Sequence, residues 1–157
     1  MKEIKVYRLE KEMEAPLELV FDFMINDDKV ALWSSLIVEN RYEQEADKYN
    51  YKIGTKFTTV QKVGKKVVEA ETVVTAYDPP YSIEMHATTK EGVSISKYTL
   101  ERIGPNTNIV LEASMIASNR YYHMLYSVIG RLAKFMMDEE MNRLREVVEQ
   151  EANVEVF

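Results

Sequence analysis

Between residues 36 and 117 one pattern recurs: a strand-like run, a tight turn, then another run. The runs are 36–43, 55–63, 66–77, 81–90, 93–103 and 107–117. A polar loop, 44–52, separates the first two. Gly64-Lys65, Asp78-Pro79-Pro80, Glu91-Gly92 and Gly104-Pro105-Asn106 mark the later turns. The proline pair stops the run before it, because proline cannot donate to a strand ladder. Links this short force neighbouring strands to run antiparallel. The centre of the chain is therefore expected to be one antiparallel sheet.

The flanks read differently. Residues 2–13 alternate with a period near two, which predicts a half-exposed strand. Pro16 stands where its missing N–H costs a helix nothing. Leu17, Val20, Phe21 and Met24 then recur at helical spacing, predicting a short helix over 16–25 with that stripe inward. Asn26-Asp27-Asp28 is a break and a cap. A second short helix is expected over 29–34, carrying Val30, Leu32 and Trp33. Ser118 or Asn119 caps a last helix over about 120–151, and the tail 153–157 is expected to fray. The order is one strand, two short helices, six strands and one long helix, an α+β class. With 157 residues, 46% hydrophobic and 29% charged, one domain over 1–157 with a sizeable core is expected.

Several function classes drop out. A formal charge of −6 gives nucleic acid no electrostatic footprint. The chain has no cysteine and only two histidines, with no His-x-His or His-x3-His spacing, so no zinc site and no cofactor are expected. The first residues, Met1-Lys2-Glu3-Ile4-Lys5-Val6, lack the apolar core of a signal peptide. No run approaches the ~20 apolar residues that span a bilayer. A cytoplasmic protein without stable membrane insertion is the expectation.

The last helix is unevenly amphipathic. Met137, Met141, Leu144 and Val148 make one apolar stripe in its C-terminal half. Tyr122, Tyr126, Ile129 and Ala133 continue that stripe towards the N-terminus. There Tyr121, Met124, Leu125, Val128, Leu132 and Phe135 add a second apolar arc. A half-helix apolar nearly all round needs more than one cover. Three readings stand: burial between sheet and short helices, the wall of a ligand cavity, or an outer contact made with a second copy or a membrane surface.

Strand alternation sorts the inner face. Ile83, Met85 and Ala87 lie together, as do Ile109, Leu111, Ala113 and Met115. In the run 93–103, Ser94, Ser96, Tyr98 and Leu100 share one face and Val93, Ile95, Lys97 and Glu101 the other. Either can be the buried one, and the face of Tyr98 and Leu100 is favoured. Phe57 and Thr59 are expected inside on their strand. An apolar wall with a few hydroxyls suits a small-molecule pocket, and equally a core whose hydroxyls are satisfied internally. His86 reads as a solvated imidazole beside Glu84. His123 is the better acid/base candidate. Glu69 and Glu71 share a strand face, either as a coupled pair or as an exposed one. No nucleophile or phosphate-loop motif is present.

Particular pieces carry a resemblance. They are Ala15-Pro16-Leu17-Glu18-Leu19-Val20-Phe21, Trp33, Ile53-Gly54-Thr55-Lys56-Phe57, Tyr77-Asp78-Pro79-Pro80, Tyr98-Thr99-Leu100 with Thr107, and Met141-Asn142-Arg143-Leu144-Arg145. In this order they resemble the SRPBCC superfamily, also called START-like or birch-pollen-allergen-like. The nearest look is to its bacterial polyketide cyclase/dehydrase-like group.

That resemblance implies a helix-grip fold, a curved seven-stranded antiparallel sheet around the long C-terminal helix. It implies a cavity between sheet and helix for lipids, polyketides or other apolar ligands. Trp33, Phe57, Thr59, Met85, Tyr98, Tyr122, Tyr126 and Ile129 are the expected ligand-binding residues, with Trp33 near the mouth. No catalytic signature transfers. The expected function is a carrier or sensor of a hydrophobic small molecule. The alternatives are a cyclase or dehydratase using His123 and Tyr98, and a protein-interaction module using the apolar helix half, either as a homodimer or on a larger ATPase.

Overall fold

The computed structural model describes residues 2–155. Seven strands form one antiparallel sheet: β1 (Ile4–Met13), β2 (Ile37–Tyr42), β3 (Lys56–Val63), β4 (Lys66–Asp78), β5 (Ser82–Thr89), β6 (Gly92–Ile103) and β7 (Asn106–Ala117). Their spatial order is β1-β7-β6-β5-β4-β3-β2. From β2 to β7 this is the meander that the short turns require. β1 pairs antiparallel with β7, so β1 and β2 become the two edges. The crossing between those edges is made by α1 (Leu17–Ile25) and α2 (Asp27–Val30), which cap one end of the sheet.

Local chemistry accounts for the crossing. Pro16 adopts φ −64° and ψ 148° and starts α1 without an N–H of its own. Leu17, Val20 and Phe21 bury their side chains. Asn26 ends α1 and caps α2, its side chain accepting from the Asp28 N–H at 3.0 Å. This second helix begins and ends earlier than the expected 29–34. Asp27 and Asp28 suit a first helical turn, and the chain then leaves the helix so that Ser34 and Ser35 can bind Glu140. The polar loop holds a 3₁₀ turn, Glu45–Tyr49.

The sheet bends at three bulges, where pairing skips Val6 in β1, Val38 in β2 and Thr75 in β4. An extra residue on one strand increases local twist and curvature. On the concave side lie Leu9, Leu100, Ile109 and Leu111, and against them Met141, Leu144 and Val148, each of these three fully buried. The expected stripe of the C-terminal helix is thus the seam of the core.

Two expectations need correction. The closing helix is two helices, α3 (Arg120–Val128) and α4 (Gly130–Glu155), broken at Ile129. The cause is a close approach. A Cβ on Gly130 would overlap the Val6 carbonyl oxygen, the residue that bulges out of β1. α4 remains helical through Glu155, so much of the tail expected to fray is ordered; Val156 and Phe157 lie outside the described residues. The second correction concerns the apolar arc. Burial between the sheet and the short helices fails, because Tyr121, Met124, Val128, Leu132 and Phe135 are all exposed.

Candidate functional site

The inner face of the sheet carries large side chains under α4 and small ones under α3. Ala70, Thr72, Ala87, Ser94 and Ser96 stand where bulkier residues would fill the space. The result is a cavity of about 1100 Å³ between β3–β7 and α3. Its floor includes Phe57 and Thr59 of β3, Met85 of β5 and Tyr98 of β6. Its roof is Tyr122, Leu125 and Tyr126 of α3. The exposed lining residues Val63, Val67 and Tyr121 mark the mouth, between the β3–β4 turn and α3.

Six of the eight residues expected at a ligand site therefore meet around one space: Phe57, Thr59, Met85, Tyr98, Tyr122 and Tyr126. Trp33 and Ile129 do not line it. Trp33 is 8% exposed and donates its indole N–H to the Phe23 carbonyl at 2.8 Å, bracing α1 against the turn after α2. Its placement near the mouth is thus corrected. Ile129 sits at the break between α3 and α4, where its backbone carries the chain into α4. Periodicity puts Ile129 on the Tyr122–Tyr126 side, but it lies beyond the last roof residue, Tyr126, and does not reach the cavity.

Polar groups are placed unevenly: Asp27 and Asn40 at the inner end, Lys66, Glu69, Lys90 and Glu91 towards the mouth, and hydroxyls between them. The Thr59 and Thr72 hydroxyls bond each other at 3.1 Å, so one pair is satisfied within the wall. Among the described residues the Tyr98, Ser94 and Ser96 hydroxyls make no such bond to the protein. Burial, with the Glu140 charge nearby, pushes the Tyr98 phenol up to about 12. Burial also raises Tyr126, whose hydroxyl donates to Glu91. That bond ties α3 to the β5–β6 turn beside the mouth.

The inner end is aromatic. Tyr51 stacks on Phe57 at 5.7 Å, and Tyr42 lies 5.0 Å from Phe57. The Tyr42 hydroxyl donates to Asp27 at 2.7 Å and shares a hydrogen bond with Tyr51. Asn40 donates to the other Asp27 oxygen at 2.9 Å. Tyr51, Asp27 and Asn40 were not foreseen as wall residues. They lie on a loop, the first turn of the short α2 and an edge strand, too little regular structure for periodicity to assign a side chain to the cavity.

Of the histidine and carboxylate acid/base candidates only Glu69 reaches this space, at its exposed rim. His86 lies on the face opposite Met85, 3.5 Å from Glu84. His123 is half-buried on α3 but does not line the cavity. Glu69 and Glu71 are exposed, and Glu69 accepts from Arg41 at 2.6 Å.

Comparison with known proteins follows the same line. Residues 14–149 match the sequence profile described as activator of Hsp90 ATPase homolog 1-like protein. The chain belongs to that family. No curated protein is similar enough in sequence to count as a relative. Among solved structures, an X-ray structure of a protein from Chromobacterium violaceum aligns with a TM-score of 0.71 at 13% identity, over 91% of this chain and 96% of that one. The structure of Ara h 8.0201 aligns at 0.63 and 11% identity, over 88% and 95%. The di-domain ARO/CYC StfQ from the steffimycin biosynthetic pathway aligns at 0.69 and 12% identity, over 92% of this chain and 45% of that one. At such identities the likeness is one of fold. The SRPBCC resemblance and the helix-grip architecture hold for this activator-homolog-like chain.

Proposed function

We propose that the chain binds a hydrophobic small molecule, as a carrier or sensor, in the space between sheet and α3. The observation that carries this reading is the cavity of about 1100 Å³. It exceeds what one drug-sized ligand requires, at roughly 300–1,000 Å³. Apolar and aromatic side chains make most of its wall, with hydroxyls among them and charged side chains at its two ends. The SRPBCC resemblance implies the same use of the same space.

The wall chemistry favours binding over proton abstraction. Burial holds the Tyr98 and Tyr126 phenols protonated at neutral pH, so each is a hydrogen-bond donor and a poor base. Tyr98 is then the group that orients a polar end of the ligand, a carbonyl or hydroxyl. Burying ~300 Å² of apolar ligand surface gives several kcal/mol at ~25 cal/mol/Å² before the costs of association.

The test is native mass spectrometry of gently purified chain, followed by titration with an environment-sensitive apolar fluorophore. The expected results are a co-purifying mass of a few hundred daltons, lost on denaturation, or a saturable one-to-one probe site. Ser96→Leu puts bulk into the empty space and is expected to weaken the probe at least tenfold with the fold intact. A non-saturable probe signal, or saturation unchanged by Ser96→Leu, would overturn the reading.

A further inference from the structure

Residues 120–137 contain Arg120, Arg131 and Lys134 and no aspartate or glutamate, in a chain whose formal charge is −6. All three cations are exposed, and among the described residues none joins an ion pair. Some cations elsewhere pair, as Lys11 does with Asp138, Arg41 with Glu69 and Arg143 with Glu140; what sets this stretch apart is that it holds no acid at all. The same stretch holds the uncovered apolar arc. Tyr121, Met124, Val128, Leu132 and Phe135 are 64%, 64%, 72%, 62% and 60% exposed. They fall three, four, four and three residues apart, the spacing of one helix face. The Ile129 N–H bonds the Leu125 carbonyl at 3.1 Å, and the Ala133 N–H bonds the Ile129 carbonyl at 3.0 Å, so bonds of the helical i to i−4 kind join α3 and α4 across the break.

A contiguous apolar face of five large side chains is more than chance leaves on a water-facing helix. Its charge pattern selects what covers it. In a two-fold dimer the same patch meets itself. Arg120, Arg131 and Lys134 would then face their own copies, with no acid in the stretch to answer them, and like charges across an interface are costly. An anionic lipid surface answers both halves of the pattern. Aromatic and aliphatic side chains enter the headgroup boundary while flanking cations meet the lipid charge. No helix among the described residues is long and apolar enough to cross a membrane, so the contact lies in the plane of the interface.

We propose that α3 and the first turns of α4 dock on an anionic lipid bilayer through this face. Tyr121 belongs both to the face and to the cavity wall, so docking brings the mouth to the lipid. The proposal does not depend on the cavity being occupied.

The test is flotation of the full chain with vesicles of phosphatidylcholine alone, or with one-third phosphatidylserine. The chain is expected to float with the anionic vesicles, far less with the neutral ones, and less as salt rises. At ~1 kcal/mol per cation, Arg131→Ala with Lys134→Ala is expected to weaken partition roughly 30-fold. Val128→Glu with Leu132→Glu is expected to abolish it. None of these four side chains lines the cavity, so probe titration of the variants in vesicle-free solution is expected to match the parent. A failure here thus stays separate from a failure of the ligand reading. Absence of flotation, or equal flotation with both compositions, overturns the proposal. So does a dimer in light scattering that Leu132→Glu dissolves, which would assign the face to a second copy.

Discussion

Glu140 is the only carboxylate the fold buries among the described residues, at 2% exposure. Its surroundings explain how it stays charged. It accepts from the Ser34 hydroxyl at 2.7 Å, the Ser35 N–H at 2.9 Å and the Ser35 hydroxyl at 2.5 Å, and from Arg143. Burial alone would push its pKa up. The hydrogen bonds from Ser35, Arg143 and Ser34 outweigh that and hold the carboxyl below its ordinary value of 4.5. The cluster fastens α4 to the chain just before β2. A depressed carboxylate stabilises the fold above its unfolded-state pKa, and the contribution is lost as pH falls through the folded value. Glu140→Gln is therefore expected to cost about 2–4 kcal/mol near neutrality, as a buried charged acceptor is removed from its donors. In denaturant titrations at a series of pH values, the variant is expected to lose less stability than the parent below pH 4.5. Parallel acid profiles would show that Glu140 is not held this way. None of this was legible in the sequence. Ser35 and Glu140 are separated by 105 residues, and neither residue type announces a partner at that range.

At the scale of elements, what the sequence showed was whatever local chemistry decides. Gly64 and Gly104 stand in turns with φ of 63° and 60°, a region that disfavours a Cβ, and both were read as turns. Alternation placed Ile83, Met85, Leu100, Ile109 and Leu111 correctly, because a half-buried strand writes its two faces in period two. The helix break was missed for the opposite reason. A lone glycine costs a helix only ~1 kcal/mol, so Gly130 alone does not signal an end. What decides is the Val6 carbonyl, brought in from β1. The usual expectation for Gly→Ala in a helix is a gain of roughly 1 kcal/mol. Here Gly130→Ala is expected to destabilise by about 1–3 kcal/mol, since the new methyl meets backbone and overpacking is not relieved by rotation. Thermal unfolding of the variant decides the sign. A raised melting temperature would mean that α4 shifts freely and that the contact with β1 does not set the break. Trp33 was misplaced by the same kind of gap: its position depends on the Phe23 carbonyl 10 residues away, not on its own helical spacing.

Across the whole molecule, aromatic hydroxyls are spread through core and cavity wall, and burial is the leading cause that raises each of them. Tyr7, Tyr42, Tyr51, Tyr77, Tyr98 and Tyr126 all sit above the ordinary value of 10. Each phenol therefore binds its proton more tightly folded than unfolded. The stability this contributes is whole below pH 10 and is lost as pH rises through the folded values. The chain is expected to unfold cooperatively in alkali, with phenolate absorbance and loss of circular dichroism moving together above pH 10. Occupancy of the cavity sharpens the test. Tyr98 and Tyr126 face that space, and a ligand that binds only the folded state adds ~2.7 kcal/mol at 100 times its Kd. Ligand is thus expected to move the alkaline transition to higher pH. If the phenols instead titrate near pH 10 with circular dichroism intact, water reaches them freely, and the wall between sheet and α3 is too open to shelter an apolar molecule.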